Sequence, residues 1–179
     1  MTSSIPERFR PWFRASNPGD VDLLAPCLDP DECREIRELS RYPDPATALR
    51  GSYDTSYPHF RFTLWDDDAL PGLPLAMGGL CPACVLWILR RGDALAVSRT
   101  ARRFFAGPDA FAVLDWWGSL APDVPYFQNR TGVWNTRTHR WLERLGAVFP
   151  PTDSPRHLWF FLPNPRYVPE TKTEGGRHV

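Results

Sequence analysis

The sequence lacks the features that membrane-spanning and secreted proteins require. No run of apolar residues reaches the roughly 18 residues that cross a bilayer. The first residues, MTSSIPERFRPWFR, also contain no apolar segment of the kind that forms the centre of a signal peptide. We therefore expect a soluble protein, made in a cytoplasm, without a membrane span.

The chain also has no net charge and almost no lysine. The chain has 21 basic and 21 acidic residues, so its formal net charge is zero. Lys172 is the only lysine, and the remaining basic residues are arginines. Because no overall positive field attracts the chain to phosphate groups, we predict no strong binding to nucleic acid.

Cysteine is rare, with four residues: Cys27, Cys33, Cys81 and Cys84. In a cytoplasm we expect them to remain reduced thiols. Cys81 and Cys84 have the spacing of a zinc knuckle, but the spacing of Cys27 and Cys33 is poor for completing a tetrahedral site. The favoured interpretation is four ordinary thiols, and no metal site is predicted.

Aromatic residues, by contrast, are abundant, and eight of the 179 residues are tryptophan. A chain of this length can bury one substantial core, which offers one explanation. The alternative is a protein interface, because tryptophan is favoured at interface hot spots. We take Trp116, Trp117 and Tyr167 as interface candidates.

Periodicity predicts one α/β domain with a mixed sheet flanked by helices, over residues 10–163. A flexible arm over residues 1–9 and a flexible tail over residues 164–179 are expected at the ends. The predicted strands are 11–15, 59–65, 75–80, 84–89, 126–128, 147–149 and 158–162. The predicted helices are about 18–24, 29–40, 93–106, 109–120 and 131–145.

The helix predicted over 131–145 has the clearest amphipathic pattern. Trp134, Trp141 and Leu145 are among the residues on its apolar stripe, and we predict that these three are buried. The opposite face carries arginines and is predicted to be exposed: Arg137, Arg140 and Arg144. A glycine, Gly146, ends the pattern.

The segment from Asn135 to Gly146 resembles the last long helix of the GNAT acyltransferases. In that superfamily an asparagine is followed by a small residue three positions on, a tyrosine seven positions on and a glycine eleven positions on. Asn135, Thr138 and Gly146 match. Together with the order of the predicted elements, this resemblance implies the GNAT-like acyltransferase fold.

A narrower resemblance covers most of the chain. The segments that carry it include Arg14-Ala15 with Asp20, Asp31 with Glu35-Ile36, Trp87, and Trp134-Asn135. They are similar to GNAT-like proteins encoded among the morphogenesis genes of short-tailed bacteriophages, some described as internal virion protein A. This implies a virion protein, made in the cytoplasm of a host bacterium, whose partners are head, portal or tail proteins.

Two departures from the superfamily bear on catalysis. Active members bind the pyrophosphate of acetyl-CoA with a glycine-containing loop before a helix, and here the two glycine positions hold Arg102 and Phe104. The tyrosine that protonates the CoA thiolate is replaced by Leu142, which has no proton to donate. Tyr126 and Tyr53 are the remaining candidates for that role.

These departures favour a non-catalytic virion protein without cofactor and without catalytic residues. The alternative is an active N-acetyltransferase that binds acetyl-CoA with a divergent loop. In that case the resemblance implies that Arg99, Arg102 and Asn135 contact the cofactor.

Overall fold

Six strands form a single mixed sheet in the computed structural model, which describes residues 5–169. The strands follow one another across the sheet in chain order. Neighbouring strands are antiparallel except for the fourth and fifth, which are parallel. The strands are β1 (Phe13–Ala15), β2 (Arg61–Leu64), β3 (Ala76–Cys81), β4 (Val85–Arg90), β5 (Tyr126–Gly132) and β6 (His157–Pro163).

Helices fill three of the five connections between strands, and most begin at a side chain that caps the first turn. Asn17, Asp29, Asp44, Ser98 and Asn135 each accept a hydrogen bond from a backbone N–H of the helix that follows. The helices are α1 (Pro18–Leu24), α2 (Pro30–Leu39), α3 (Pro45–Thr55), α4 (Ala94–Val97), α5 (Arg99–Ala106), α6 (Asp109–Leu120) and α7 (Thr136–Arg144).

The predicted α/β domain with a mixed sheet is confirmed. The sheet separates two apolar clusters, as successive residues of β4 show: Leu86 packs in one and Trp87 in the other. The larger cluster joins the sheet to α5 and α6, and the smaller one joins it to α1, α2 and α3. Within residues 5–169, no helix has the length and hydropathy needed to cross a membrane.

The sheet consists of two antiparallel parts that meet at the parallel pair β4 and β5. Only one residue pair, Val85 with Gln128, is in register between these two strands. Side-chain amides extend this junction. The Nε2 of Gln128 donates to the carbonyl of Ala83 at 2.7 Å, and the Nδ2 of Asn129 donates to the carbonyl of Leu86 at 2.9 Å.

Both predicted ends of the domain need correction. Phe9 was assigned to the arm, yet it is buried and its ring packs against Phe13 and Trp116, so the folded domain begins before residue 10. Asn164 was assigned to the tail, but its buried amide donates to the carbonyls of Ala121 and Val124. Residues 1–4 and 170–179 lie outside the described residues.

The predicted helix over 131–145 is shorter than expected. Residues 131 and 132 belong to β5, and α7 begins only at Thr136. Trp134 therefore lies before the helix, half-buried, with the Arg34 guanidinium 3.9 Å from its ring centroid. Leu145 is buried as predicted, and Trp141 is half-buried.

Several smaller differences from the predicted elements follow from local sequence. The predicted helix over 93–106 is divided at Ser98, which ends α4 and caps α5. Helix α3 was not predicted. Of the predicted strand over 147–149, only Val148 pairs with β6, through an isolated bridge to Phe161.

Candidate functional site

The first turn of α5 is where the acyltransferase resemblance places a pyrophosphate. Ser98 caps this turn: its Oγ accepts from the backbone N–H of Ala101 at 2.9 Å and donates to Asp66 Oδ2 at 2.6 Å. Thr100 also hydrogen-bonds to the Asp66 carboxylate. A carboxylate of the chain itself thus occupies the helix start that would attract a phosphate group.

The protonation of Asp66 follows from these contacts. Burial raises its pKa, but the hydrogen bonds from Ser98 and Thr100 outweigh that effect and hold the pKa below its usual range. Asp66 therefore carries a full negative charge at neutral pH. A second anion at the same helix end would meet direct repulsion.

The two arginines predicted to contact a cofactor both lie on α5. Arg102 donates from Nη1 to the carbonyls of Leu95 and Ala96, at 2.9 and 3.1 Å, and so caps the end of α4. Arg99 is exposed on the first turn of α5. Phe104, which occupies the second glycine position, is buried in the core. The Asp66 carboxylate lies at the helix start.

Asn135, the third predicted cofactor contact, is buried and has structural partners. Its Oδ1 accepts from Thr138 N at 3.3 Å, and its Nδ2 donates to Glu35 Oε1 at 2.9 Å. The same oxygen of Glu35 accepts from Thr131 Oγ1 and from Gly132 N, each at 2.7 Å. Glu35 therefore ties α2 to β5 and to the start of α7.

Leu142 and the two tyrosines considered as proton donors all have packing contacts in the fold. Leu142 is buried in the larger cluster. Tyr53 is buried in the smaller cluster, with its hydroxyl 3.5 Å from the carbonyl of Ser16. Tyr126 is exposed on β5 and packs edge-on against Phe161.

A buried charge cluster, which sequence reasoning missed, lies at the end of β4. Arg90 is only 4% exposed, and its Nη2 is 2.8 Å from Asp29 Oδ2. Its Nε is 3.4 Å from Glu32 Oε1, and its backbone N–H donates to Glu32 Oε2 at 2.6 Å. Arg137 of α7 also reaches Asp29 Oδ2, at 3.3 Å. The cluster thereby joins β4, the start of α2 and α7.

Burial has a strong effect on Glu32, an acid of this cluster. Its burial raises its pKa well above the usual range, while the Arg90 guanidinium and backbone N–H act in the opposite direction. The signal in the sequence was a pair of arginines, Arg90 and Arg91, ending an apolar strand. A charge placed there must find buried partners, but the sequence does not show which acids supply them.

A cavity of about 100 Å³ adjoins this cluster, between β4, α5 and α7. Three arginines line it, Arg90, Arg137 and Arg144, together with the carboxyl group of Glu32. Much of its wall is apolar and includes Ile88, Leu95, Phe105 and Trp141. We call this space the arginine cavity.

A second candidate surface is the outer face of the antiparallel pair formed by β5 and β6. The register brings Gln128 opposite Phe161 and Arg130 opposite Trp159. Trp159 is 39% exposed and Tyr126 is 40% exposed. We call the surface formed by Tyr126, Gln128, Arg130, Trp159 and Phe161 the outer aromatic face.

A groove borders the outer aromatic face. It has a volume of about 350 Å³ and runs beside the prolines Pro150 and Pro151. The guanidinium of Arg130 lies 5.5 Å from the ring centroid of Trp159. The sequence signal for this face was the alternation of buried and more exposed side chains along residues 157–163. Phe160 and Leu162 face the core, and Trp159 and Phe161 face outward.

The predicted interface residues lie elsewhere. Trp116 and Trp117 are each 4% exposed, because both pack into the larger apolar cluster, Trp116 against Phe62 and Trp117 against Phe60. In the folded chain they have no surface to offer a partner, so their assignment to an interface is corrected. Tyr167 is at the surface, where its backbone N–H donates to the carbonyl of Asn164.

The four cysteines are free thiols, each partly exposed. The sulfur of Cys81 lies 3.4 Å from Thr55 Oγ1 and 3.4 Å from Ser56 Oγ. Over the part of the chain that the structure describes, no group of three or more His, Cys, Asp or Glu residues is arranged to hold a metal ion. Cys84 lies in the turn before β4, with a left-handed backbone at φ 62°.

Two features of the described chain could bind another molecule. One is the arginine cavity and the other is the outer aromatic face. No protein-family model matches the chain, and no curated protein matches it either.

Proposed function

We propose that the chain is a non-catalytic protein of the GNAT-like fold and a structural component of a short-tailed bacteriophage particle. It is made in the cytoplasm of the host bacterium, and in the virion it binds head, portal or tail proteins. The observation that carries the non-catalytic assignment is the Asp66 carboxylate at the start of α5, hydrogen-bonded to Ser98 at 2.6 Å.

Several observations support the lack of acetyltransferase activity. Acetyl-CoA would have to place its pyrophosphate beside a negatively charged carboxylate, at a helix start where the N–H of Ala101 already donates to Ser98. The general acid is also missing, since Leu142 is apolar and buried. The alternative, an active N-acetyltransferase, requires both obstacles to be removed.

The order of strands and helices supports the fold assignment. Three helices separate β1 from β2, and three further helices separate β4 from β5. The mixed sheet has its single parallel pair where the second of these connections crosses over. The resemblance to the superfamily rests on a similar predicted order, which had two helices before β2 and one additional strand, 147–149, before β6.

The outer aromatic face supports a role in assembly. Exposed aromatic residues grouped on one sheet face are typical of protein interaction sites. Tryptophan, tyrosine and arginine are the residues most favoured at interface hot spots, and this face has Trp159, Tyr126 and Arg130 together. A neighbouring virion protein would bury these side chains.

Calorimetry with acetyl-CoA tests the non-catalytic assignment. We expect no saturable heat when acetyl-CoA is added to the purified full-length chain. The matched variant Asp66→Asn removes the repelling charge and keeps the size of the side chain. Micromolar binding of acetyl-CoA by the natural chain would contradict the proposal.

Mass spectrometry of purified particles tests the virion assignment. Particles of the phage that encodes the chain, purified on a density gradient, should contain it at a fixed number of copies per particle. A chain that stays in the host lysate and is absent from the particles is not a virion protein.

A photo-crosslinking amino acid placed at position 159 tests the outer aromatic face. We expect it to form a crosslink to another virion protein inside the particle. The control position is Glu143, an exposed residue on the polar side of α7. Crosslinks from position 143 but not from position 159 would mean that α7, and not the outer aromatic face, contacts the neighbouring protein.

A further inference from the structure

The outer aromatic face lies beyond the helix layer on its side of the sheet. Phe160 and Leu162 pack in the larger apolar cluster, so the alternate residues Trp159 and Phe161 lie on the opposite side. Helices α1, α2 and α3 cover that opposite side, but the apolar cluster beneath them includes residues of β3 and β4 and none of β5 or β6. An aromatic surface left open in this way is typical of an interaction site.

The two strands that form this face carry no acidic residue. No aspartate or glutamate occurs between Asp123 and Glu143, a range that includes β5. None occurs between Asp153 and Glu170, a range that includes β6. The 21 acidic residues of the chain are thus all placed outside the strands of the face.

The same strands carry arginines that no acid of the described chain compensates. Arg130 donates from Nη2 to the carbonyl of Leu39, at the end of α2, and its guanidinium lies over the ring of Trp159. Arg156 is exposed just before β6. Among residues 5–169, neither Arg130 nor Arg156 forms an ion pair. The face is therefore positively charged.

The acids of the neighbouring helix α2 already have other partners. One oxygen of Glu35 accepts three hydrogen bonds, two from β5 and one from Asn135. Glu38 pairs with Arg34 on its own helix. An ion pair with Arg130 thus requires a carboxylate from outside the described residues.

The charge of the face disfavours a second copy of this chain as its partner. A symmetric dimer brings the same surface patch of both copies together. Here it would join two surfaces that carry arginines and lack acids. Like charges that meet across an interface are unfavourable, so the partner differs from this chain in charge.

The arrangement of the rings disfavours nucleic acid. Single-stranded nucleic acids bind by stacking their bases on open ring faces. Tyr126 and Phe161 instead meet edge to face, with ring centroids 5.2 Å apart, and Arg130 lies over Trp159. The groove beside the face, between Trp159 and Pro150, suits an apolar side chain of a protein.

We infer that the outer aromatic face binds an acidic segment of another protein. Apolar side chains of the segment lie in the groove against Trp159 and Phe161, and its carboxylates pair with Arg130 and Arg156. The inference rests on the proposed role in assembly and specifies the chemistry of the neighbouring virion protein.

Selection from a library of short random peptides displayed on yeast tests the inference. The immobilised full-length chain should enrich peptides that combine aspartate or glutamate with aromatic or aliphatic residues. The same selection with Trp159→Ala should not enrich them, because the apolar contact is lost. Trp159 is 39% exposed, so this variant should keep the fold, and thermal unfolding verifies that it does.

Two comparisons with the most enriched peptide measure the part played by charge. Replacing its acids by asparagine and glutamine should weaken binding about 10-fold, followed by fluorescence anisotropy. Arg130→Gln in the chain should cause a similar loss. The control Arg140→Gln removes the same charge from an exposed position of α7, which packs on the other side of the sheet, and should leave the affinity unchanged.

Several results would overturn the inference. Absence of peptides whose binding depends on Trp159 means that the face binds no short segment. Enrichment of neutral or basic peptides, or equal affinity for the neutralised peptide, means that the arginines are not recognised. Binding of an oligothymidylate that Trp159→Ala abolishes assigns the face to nucleic acid. Self-association in sedimentation that the same variant abolishes assigns it to a second copy.

This test is separate from that of the virion assignment. If the chain is found in purified particles but selects no acidic peptides through Trp159, the inference fails and the virion assignment stands. If it selects them but is absent from the particles, the virion assignment fails and the acidic partner has to be a protein outside the virion.

Discussion

At the scale of single residues, the main feature of this chain is how many polar side chains are used inside the fold. Ser98, Asn135, Asp29 and Glu32 are all buried, and each one caps a helix or completes an ion pair. Buried polar groups of this kind stabilise a fold only when all their partners are present. Single substitutions at these positions should therefore change the free energy of unfolding by a measurable amount.

Glu32→Gln should change how stability depends on pH. The pKa of Glu32 is raised in the folded chain, so the folded state retains a proton that the unfolded chain releases above its own value of 4.5. Stability is thus greatest below that value and falls as the pH rises through the raised folded pKa. Glutamine does not titrate, so the variant should lose this part of the decline.

Urea unfolding at a series of pH values, from the usual glutamate range up to neutrality, measures this effect. The control is Glu38→Gln, at an exposed position of the same helix. The free energy of unfolding is plotted against pH, and the difference in slope between a variant and the natural chain gives the contribution of the one carboxyl group that was replaced. An unchanged slope in Glu32→Gln would show that the carboxylate stays charged beside Arg90.

Gly132→Ala should destabilise the chain through the ring of Trp134. A Cβ atom at position 132 would lie 2.5 Å from the six-membered ring of Trp134, which is far closer than van der Waals contact. Overpacking of this kind costs about 1–3 kcal/mol. Chemical unfolding measures the loss, and adding Trp134→Ala should recover part of it. Equal losses in the single and double variants would mean that the ring is not the obstacle.

At the scale of elements, the sequence predicted the well-patterned segments and missed those set by tertiary contacts. Strands β3 and β4 and helices α2 and α6 followed directly from periodicity and start signals. Helix α3 was missed because its residues, PATALRGSYDT, include a glycine and two threonines and form only a weak apolar stripe. Its start signal, Asp44 before Pro45, was present in the sequence. In the structure Asp44 caps this helix and Pro45 is its first residue.

The start of α7 shows why the candidate site was predicted only in part. Asn135 was identified from a resemblance, as a possible cofactor contact. Its partner Glu35 lies 100 residues earlier in the chain. No local pattern connects them, so the structural role of Asn135 appears only in the folded chain. The same holds for Asp66 and Ser98, which lie 32 residues apart.

Glu35→Ala should weaken the contact between α2, β5 and α7. One oxygen of Glu35 accepts from Thr131, Gly132 and Asn135, and removing it leaves these donors without their acceptor. Hydrogen bonds to charged groups contribute about 1.5–3 kcal/mol each, and water entering the gap recovers part of this. We expect a net loss of stability of about 2–3 kcal/mol in chemical unfolding.

The matched control for this prediction is Glu38→Ala on the same helix. Glu38 forms an exposed ion pair with Arg34, four residues away, and such pairs contribute only about 0.3–0.5 kcal/mol. Similar losses in both variants would indicate that helix α2 itself, and not its link to β5, was weakened.

At the scale of the whole molecule, the two parts of the sheet meet at one narrow junction. The antiparallel strands β1 to β4 and the antiparallel pair β5 and β6 share a single residue pair in register, Val85 with Gln128. The amides of Gln128 and Asn129 supply further hydrogen bonds across it. The outer aromatic face lies on the pair β5 and β6, and so on one side of this junction.

Asn129→Ala should loosen this junction while leaving each part of the sheet intact. The variant loses the bond from Asn129 Nδ2 to the carbonyl of Leu86, at 2.9 Å, and leaves that carbonyl without this donor. The expected loss of stability is about 1–3 kcal/mol, the cost of one unsatisfied polar group. Hydrogen exchange separates a local effect from a global one: the amides of β5 and β6 should exchange faster than those of β2 and β3.

The control is Gln128→Ala. Its bond to Ala83 lies at the more exposed end of the junction, so its loss should reduce the stability less. If β2 and β3 lose protection to the same degree as β5 and β6, the sheet opens as one unit and the junction is not its weak point.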